Sequence, residues 1–149
     1  AVYGCQPSED VLTRLPLRPA LRLTAPVVLV KEAPAGEAVG YGHTFRLDRP
    51  ARLALVPVGY ADGYLRALSN KATMRVRGTD CPVRGRVSMD QTVIDVTAAP
   101  DVRVGDPVEI LSRNPADPHS AASLARLAET IPYELISRLG DRICRTVAE

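Results

Sequence analysis

The sequence contains no tryptophan, one phenylalanine and five tyrosines in 149 residues, so aromatic side chains make up only 4% of it. A nucleic-acid groove built on stacking aromatics has little to work with. A surplus of one charge is missing too. The formal net charge is +2 and the charges are scattered, which removes the electrostatic footprint of a nucleic-acid or membrane-surface binder. Long apolar runs are absent. PVVLV and LALVPVGYA fall far short of the roughly 20 residues that a membrane-spanning helix needs, and no charged-then-apolar signal segment leads the chain. No nucleic acid and no membrane is expected as a partner, and a cytoplasmic setting is the simplest expectation.

Cys5, Cys81 and Cys144 are odd in number, widely spaced and form no C-x-x-C, which argues against a disulfide framework and against a zinc site. His43 and His119 have no ligand-type partners at metal spacing, so no metal is expected. Lysine is scarce: Lys31 and Lys71 are the only two, leaving two candidates for any Schiff-base chemistry. Paired carboxylates, a phosphate-binding G-x-x-x-x-G-K and a nucleophile elbow are all missing. The opening AVYGCQPSED has no initiator methionine and starts in what reads as the middle of an element; a fragment is the expectation.

What is present is a chain that is 46% hydrophobic, with no repeat, no low-complexity tract and no dividing linker. That fits one domain over residues 1–149 with a real core. After a polar opening around Gln6 to Asp10, expected to be loop, LRPALRLTAPVVLVKEA reads as extended and Pro34 to Gly36 as a turn. EAVGYGHTFRL alternates at period two, which puts Val39, Tyr41, His43, Phe45 and Leu47 on one face of a strand, with ARLALVPV as its expected partner. TMRVRG, CPVRGRVSM, QTVIDVT and PVEILSR are short β-type runs bounded by Gly, Pro or Asp, a spacing suited to a small barrel or sandwich. The period then changes. Leu124, Leu127, Ala128 and Ile131 fall at helical intervals behind Ser120 as N-cap, and PYELISRL starts at Pro132 and stops at Gly140. The expected fold is mainly β: a small closed β-barrel of about six to eight strands with two short helices near the C-terminus.

Tyrosines and arginines gather beside glycines in VGYGHTF, VGYADGYLRALSN, RGRVSMDQ and ETIPYEL. Each has an ordinary explanation. Tyr41 reads as a strand tyrosine or as an acid/base whose flanking Gly40 and Gly42 allow close approach. Tyr60 reads as a hairpin aromatic, since Asp62-Gly63 is a turn signal. Arg66 and Arg86 read as solvated surface, Met89 as core and Tyr133 as packing at a helix start. Spacing alone leaves these alternatives open.

Taken together and in order, YG.QPS, VGYGHTF, VPVGYADGYLRALSN, VRGRVSMDQTVIDV, VGDPVEIL and ETIPYELISRLGDRICR resemble the carboxy-terminal domain of alanine racemase over essentially the whole chain. The resemblance implies a domain that follows a TIM-type barrel carrying pyridoxal phosphate on a lysine, a barrel absent here. It implies a homodimer in the full-length enzyme, with each carboxy-terminal domain facing its partner's active site. The implied reaction is interconversion of L- and D-alanine for peptidoglycan synthesis, with the isolated domain inactive.

The resemblance also assigns roles. Racemisation needs proton-transfer groups on opposite faces of the α-carbon; one is the barrel's lysine and the other corresponds to Tyr41. Free tyrosine titrates near about 10, so a tyrosine base needs help from positive charge or hydrogen bonds. Met89 corresponds to the residue whose backbone N–H helps hold the substrate carboxylate, and Tyr133 to the tyrosine that hydrogen-bonds the cofactor phosphate. Tyr60, Arg66, Arg86 and Ile131 correspond to the lining of a narrow substrate entryway. Two alternatives remain: a serine or broad-specificity racemase of the same architecture, and a non-catalytic β-barrel binding module.

Overall fold

Short runs of β-branched and apolar residues interrupted by Gly, Pro and Asp can pair but cannot grow long, and the architecture follows from that limit. The computed structural model describes residues 3–5 and 17–147; the expected opening loop at Gln6 to Asp10 lies outside the described residues. In chain order the elements are β1 (Leu23–Pro26), β2 (Leu29–Ala33), β3 (Ala38–Val39), β4 (Phe45–Arg46), β5 (Ala51–Val56), β6 (Thr73–Val76), β7 (Thr79–Pro82), β8 (Thr92–Asp95), β9 (Pro107–Leu111), α1 (Ala121–Leu127) and α2 (Pro132–Ser137). The fold is mainly β with two short helices. All strand pairs are antiparallel.

The strands form a sheet in the order β1-β9-β6-β7, a sheet in the order β2-β5-β8, and the small hairpin β3-β4. The two larger sheets are stitched along both margins. On one side β1 runs into β2 and changes partner between adjacent residues: Val27 N donates to Asp106 O at 2.9 Å and Val28 N to Leu55 O at 2.9 Å. On the other, Val83 forms an isolated bridge with Ile94, flanked by Arg84 N donating to Val93 O at 2.9 Å. Seven strands are thereby linked at both margins, by a change of partner on one side and a single bridge on the other, and the expected closed barrel takes the form of two sheets joined without a continuous ladder. Such stitching leaves few unpaired strand edges.

The main core is aliphatic. Leu68, Met74, Ile94, Val56 and Val96 are fully buried within it. A satellite cluster of Ala33, Val39, Leu47, Ala51 and Leu53, with Phe45 packed against it, lies under the β3-β4 hairpin. β5 serves both clusters through its two faces: Ala54 and Val56 point into the main core, Ala51 and Leu53 into the satellite, as the two-residue period of a strand requires.

The alternation from Val39 to Leu47 is not one strand. Gly40 and Gly42 adopt φ of 73° and 69°, and His43 a φ of 49°, so the chain folds back as a hairpin with Tyr41–His43 as a 3-10 turn at its tip. Only Val39 and Leu47 of the expected face are buried. The expected partner β5 pairs instead with β2 and β8. Glycine's access to positive φ overrode the period-two pattern. CPVRGRVSM is likewise only partly strand: it contributes Cys81 and Pro82 to β7 and continues as loop after Val83.

The helices are where the pattern placed them. Ser120 Oγ accepts from Ser123 N at 3.2 Å to cap α1, and Pro132 opens α2. Gly140 lies three residues beyond the end of α2 and does not take the left-handed conformation of a helix-ending glycine. Its N–H reaches Asp62 O at 3.2 Å.

Ile94 stands at the single bridge that joins the sheets and is fully buried. Ile94→Ala is expected to cost about 2–5 kcal/mol in urea unfolding. The exposed Val104 provides the control, because Val104→Ala should stay within about 0.5 kcal/mol.

Candidate active-site face

The VGYADGYLRALSN segment follows β5 and turns twice. Gly59 N donates to Asp62 Oδ2 at 3.0 Å, tightening a 3-10 turn over Tyr60–Asp62, and a second such turn spans Arg66–Leu68. The Asp-Gly pair makes no β-hairpin, because Gly63, at φ 97°, ends the first 3-10 turn instead. The two tyrosines part company: Tyr60 is 46% exposed and Tyr64 only 3%.

This segment lies directly on the loop that carries RGRVSMDQ. Tyr60 N donates to Ser88 O at 3.0 Å and Ala61 N to Met89 O at 2.9 Å. Such an approach is open only to glycine at position 59, where a Cβ would stand 2.3 Å from Met89 O and from Ser88 O. A third segment joins from the end of α2. Arg142 reaches Asp62 Oδ1 at 2.9 Å and Asp90 Oδ1 at 2.7 Å, bracing both loops with one guanidinium. Neither Arg142 nor Asp90 stood out in the sequence; the arginine's place in the LGDR that follows α2 was the available signal.

The β3-β4 hairpin meets the same loop from the other side, with the Arg86 guanidinium carbon 3.6 Å from where a Gly42 Cβ would stand. Tyr41, at the hairpin tip, is 72% exposed. Tyr60, Met89 and Ile131 are also exposed, so four of the nine large apolar side chains exposed among the described residues belong to this group. Met89 is therefore not core. Its carbonyl is taken by Ala61, while its N–H has no partner among the described residues. Arg66 and Arg86 are exposed, and Tyr133 is half-buried with its hydroxyl donating to Cys5 O at 3.2 Å. Tyr41 and Arg86 thus share a ridge, Tyr60 and Met89 sit on laced loops, and Ile131 and Tyr133 stand at the start of α2, whose far end is pinned to Asp62.

A family model described as "Alanine racemase, C-terminal domain" matches residues 20–147. The chain belongs to this family. Among relatives of this alanine racemase C-terminal domain, the alanine racemase of Halothermothrix orenii is 44% identical over 97% of the chain and 38% of its own length. That of Acidiphilium cryptum is 43% identical over 99% of the chain and 40% of its own. The biosynthetic alanine racemase of Pseudomonas aeruginosa superposes with a TM-score of 0.88 at 38% identity, covering 99% of this chain and 40% of that one. A Bartonella henselae alanine racemase with covalently bound pyridoxal phosphate superposes at 0.81, with 34% identity, over 95% of this chain and 38% of that one. The chain thus spans about two fifths of the length of these relatives.

Elsewhere in this alanine racemase C-terminal domain, the fold overturns the expectation that His119 lacks partners. His119 is fully buried; its Nε2 lies 3.2 Å from Glu109 Oε2 and its Nδ1 3.9 Å from Asp80 Oδ1. Ligand-type atoms of Glu109, Asp117 and His119 lie within 4.8 Å of one another. Guanidinium groups already hold the carboxylates: Arg22 reaches Glu109 at 2.7 Å, and Arg75 reaches Asp80 at 2.7 Å and Asp117 at 3.0 Å. The cluster is an ion-pair tie between β6, β7, β9 and the approach to α1, in which each carboxylate already has a guanidinium partner. The hydrogen bond from Ser112, then Arg75, holds the Asp117 carboxyl below its usual range.

Two outcomes follow. The Tyr64 hydroxyl is buried without a partner among the described residues, and its burial pushes the phenol pKa up; Tyr64→Phe should leave the fold intact and raise stability by about 1 kcal/mol in thermal unfolding, since an unsatisfied buried hydroxyl is a cost. Asp117, lowered in the folded state, stabilises above the unfolded carboxylate value of about 3.9 and loses that contribution as pH falls through its folded value. Asp117→Asn should therefore be less stable than wild type at pH 7, with the gap narrowing in denaturation curves taken below about pH 4.

Proposed function

We propose that this chain, as a single domain over residues 1–149, is the carboxy-terminal domain of a pyridoxal-phosphate-dependent alanine racemase. The full-length enzyme interconverts L- and D-alanine, supplying D-alanine for peptidoglycan, and works as a homodimer in the cytoplasm. No helix of the described residues is long and apolar enough to cross a membrane. The observation that carries the reading is the position of Tyr41, an exposed phenol on the tip of a hairpin whose base is buried in its own satellite core. Such a tip can enter the active site of a partner subunit while the domain behind it stays rigid.

The chain's residues do not carry the cofactor covalently. Lys31 Nζ is paired with Glu37, and Lys71 Nζ is bonded to Leu127 O at 3.4 Å with Glu129 at 3.8 Å. The lysine comes from the TIM-type barrel that precedes this domain. What this domain offers the cofactor is the Tyr133 hydroxyl, which can turn from Cys5 O to a phosphate oxygen as a donor. Bound pyridoxal phosphate supplies the electron sink that makes the α-hydrogen acidic.

Tyr41 Oη then takes or returns the α-proton on one face, opposite the barrel lysine. The Met89 N–H donates to the substrate carboxylate. Tyr60, Arg66, Arg86 and Ile131, all exposed on this face, line the way in.

Tyr41→Phe in the full-length enzyme should lower turnover by about 10²–10⁴-fold in both directions, the usual span of a positioned acid/base, because the group that takes the proton in one direction returns it in the other. Coupled assays from each alanine enantiomer measure it. Unchanged rates in both directions would remove Tyr41 from the reaction.

A further inference from the structure

The tail of the GYADGYLRALSN segment lies outside every role described so far, yet its last two residues touch each segment of the Tyr41–Arg86 ridge. Ser69 closes the Arg66–Leu68 turn: its N–H and its Oγ both donate to Arg66 O, at 3.2 and 2.5 Å. The same Oγ accepts from Val87 N at 3.0 Å. Asn70 follows in a left-handed conformation, φ 59°, which asparagine tolerates better than most residues. That turn aims its amide in two directions. Asn70 Oδ1 accepts from Gly85 N at 2.6 Å, and Asn70 Nδ2 donates to Thr44 Oγ1 at 3.3 Å.

Two consequences follow from this geometry. Gly85 and Val87 are the neighbours of Arg86, so the backbone of Arg86 is held from both sides by a side chain of the Ser69-Asn70 pair. Thr44 is the residue that ends the Tyr41–His43 turn, so the other end of the Asn70 amide fixes the hairpin tip. The Arg86 guanidinium lies over the open side of Gly42, 3.6 Å from where its Cβ would stand, so Asn70, the Arg86 loop and the hairpin tip from Gly42 to Thr44 are neighbours around one point.

We propose that Asn70 is a positioning residue for the proton transfer made by Tyr41: its amide, bonded to Gly85 and Thr44, fixes the hairpin tip relative to the Arg86 loop. The inference rests on the reading of Tyr41 given above. The amide is suited to the task because it presents an acceptor and a donor on one short side chain. A tip free to drift by about 1 Å would lose of the order of 10²-fold in rate without losing its phenol.

The experiment uses the full-length, cofactor-loaded racemase and compares Asn70→Gly, Thr44→Val, the double variant and Tyr41→Phe. Glycine keeps the positive φ and removes the amide. Asn70→Gly should lower kcat by about 10- to 100-fold with KM within about threefold. It should raise the α-deuterium isotope effect on kcat for the enantiomer deprotonated on the Tyr41 face and lower it for the opposite enantiomer, for which Tyr41 returns the proton after the labelled bond is broken. Hydrogen–deuterium exchange over residues 40–46 and 84–88 should quicken at least about tenfold. The double variant should be no worse than the poorer single one, since both break the same bond. Wild-type kcat, isotope effect and exchange in Asn70→Gly, with Tyr41→Phe inactive, overturn the role of Asn70 alone. Full activity of Tyr41→Phe overturns the Tyr41 reading itself. If Asn70→Gly melts more than about 10 °C early, Thr44→Val carries the test, and an unchanged isotope effect there overturns the proposal.

Discussion

The approach of the backbone at Gly59 to the backbone at Ser88 and Met89 is the constraint on which the functional face depends. Two loops from distant parts of the chain share a pair of main-chain hydrogen bonds, and no room is left for a Cβ between them. Main-chain lacing of this kind fixes loops more firmly than side-chain contacts, because it removes backbone rather than rotamer freedom. Once laced, the loops set where Tyr60 emerges and leave the Met89 N–H without a partner among the described residues. The Arg142 bridge to Asp62 and Asp90 then ties the helical end of the chain to the same point. Surface ion pairs contribute little singly, but one guanidinium between two loops constrains both.

Rigidity behind this face comes from two sources. The core is almost wholly aliphatic, Tyr64 being its one buried aromatic among the described residues, and β5 shares its two faces between that core and the satellite cluster beneath the Tyr41 hairpin. A two-by-two-residue hairpin has marginal stability alone; buried Val39 and Leu47 supply what it lacks. Arg84, stacked 4.6 Å over the Phe45 ring, covers the remaining side of the hairpin. The ion-pair tie around the buried His119 fastens β6, β7 and β9 of the other sheet. Stability and function are thereby carried by different polar networks.

Several elements were legible because local chemistry and tertiary context agree. Ser120 is an N-cap by its hydroxyl and Pro132 a helix start by its fixed φ, and nothing in the fold opposes either. The strands from Thr92 and from Pro107 are marked by β-branched runs that the core needs. EAVGYGHTFRL misled for the opposite reason. Its apolar alternation is real, yet the glycines at 40 and 42 take conformations that no period-two count can register. His119 misled in another way, since Glu109 lies on β9 and Asp80 on β7, and only sheet pairing brings them beside the imidazole. Asp62 and Arg142 meet because Gly140 lets the chain return to the first turn, which spacing cannot express.

By itself the sequence determined the class of fold, the two helices and the motif blocks that mark the family, because propensity, capping and residue identity act over a few neighbouring positions. Tertiary structure alone decided which tyrosine of the Asp-Gly pair faces solvent, that Met89 leaves the core, and that an asparagine, an arginine and several glycines fasten the segments together. Those outcomes depend on backbones meeting across long separations, where one missing Cβ or one left-handed residue chooses the partner.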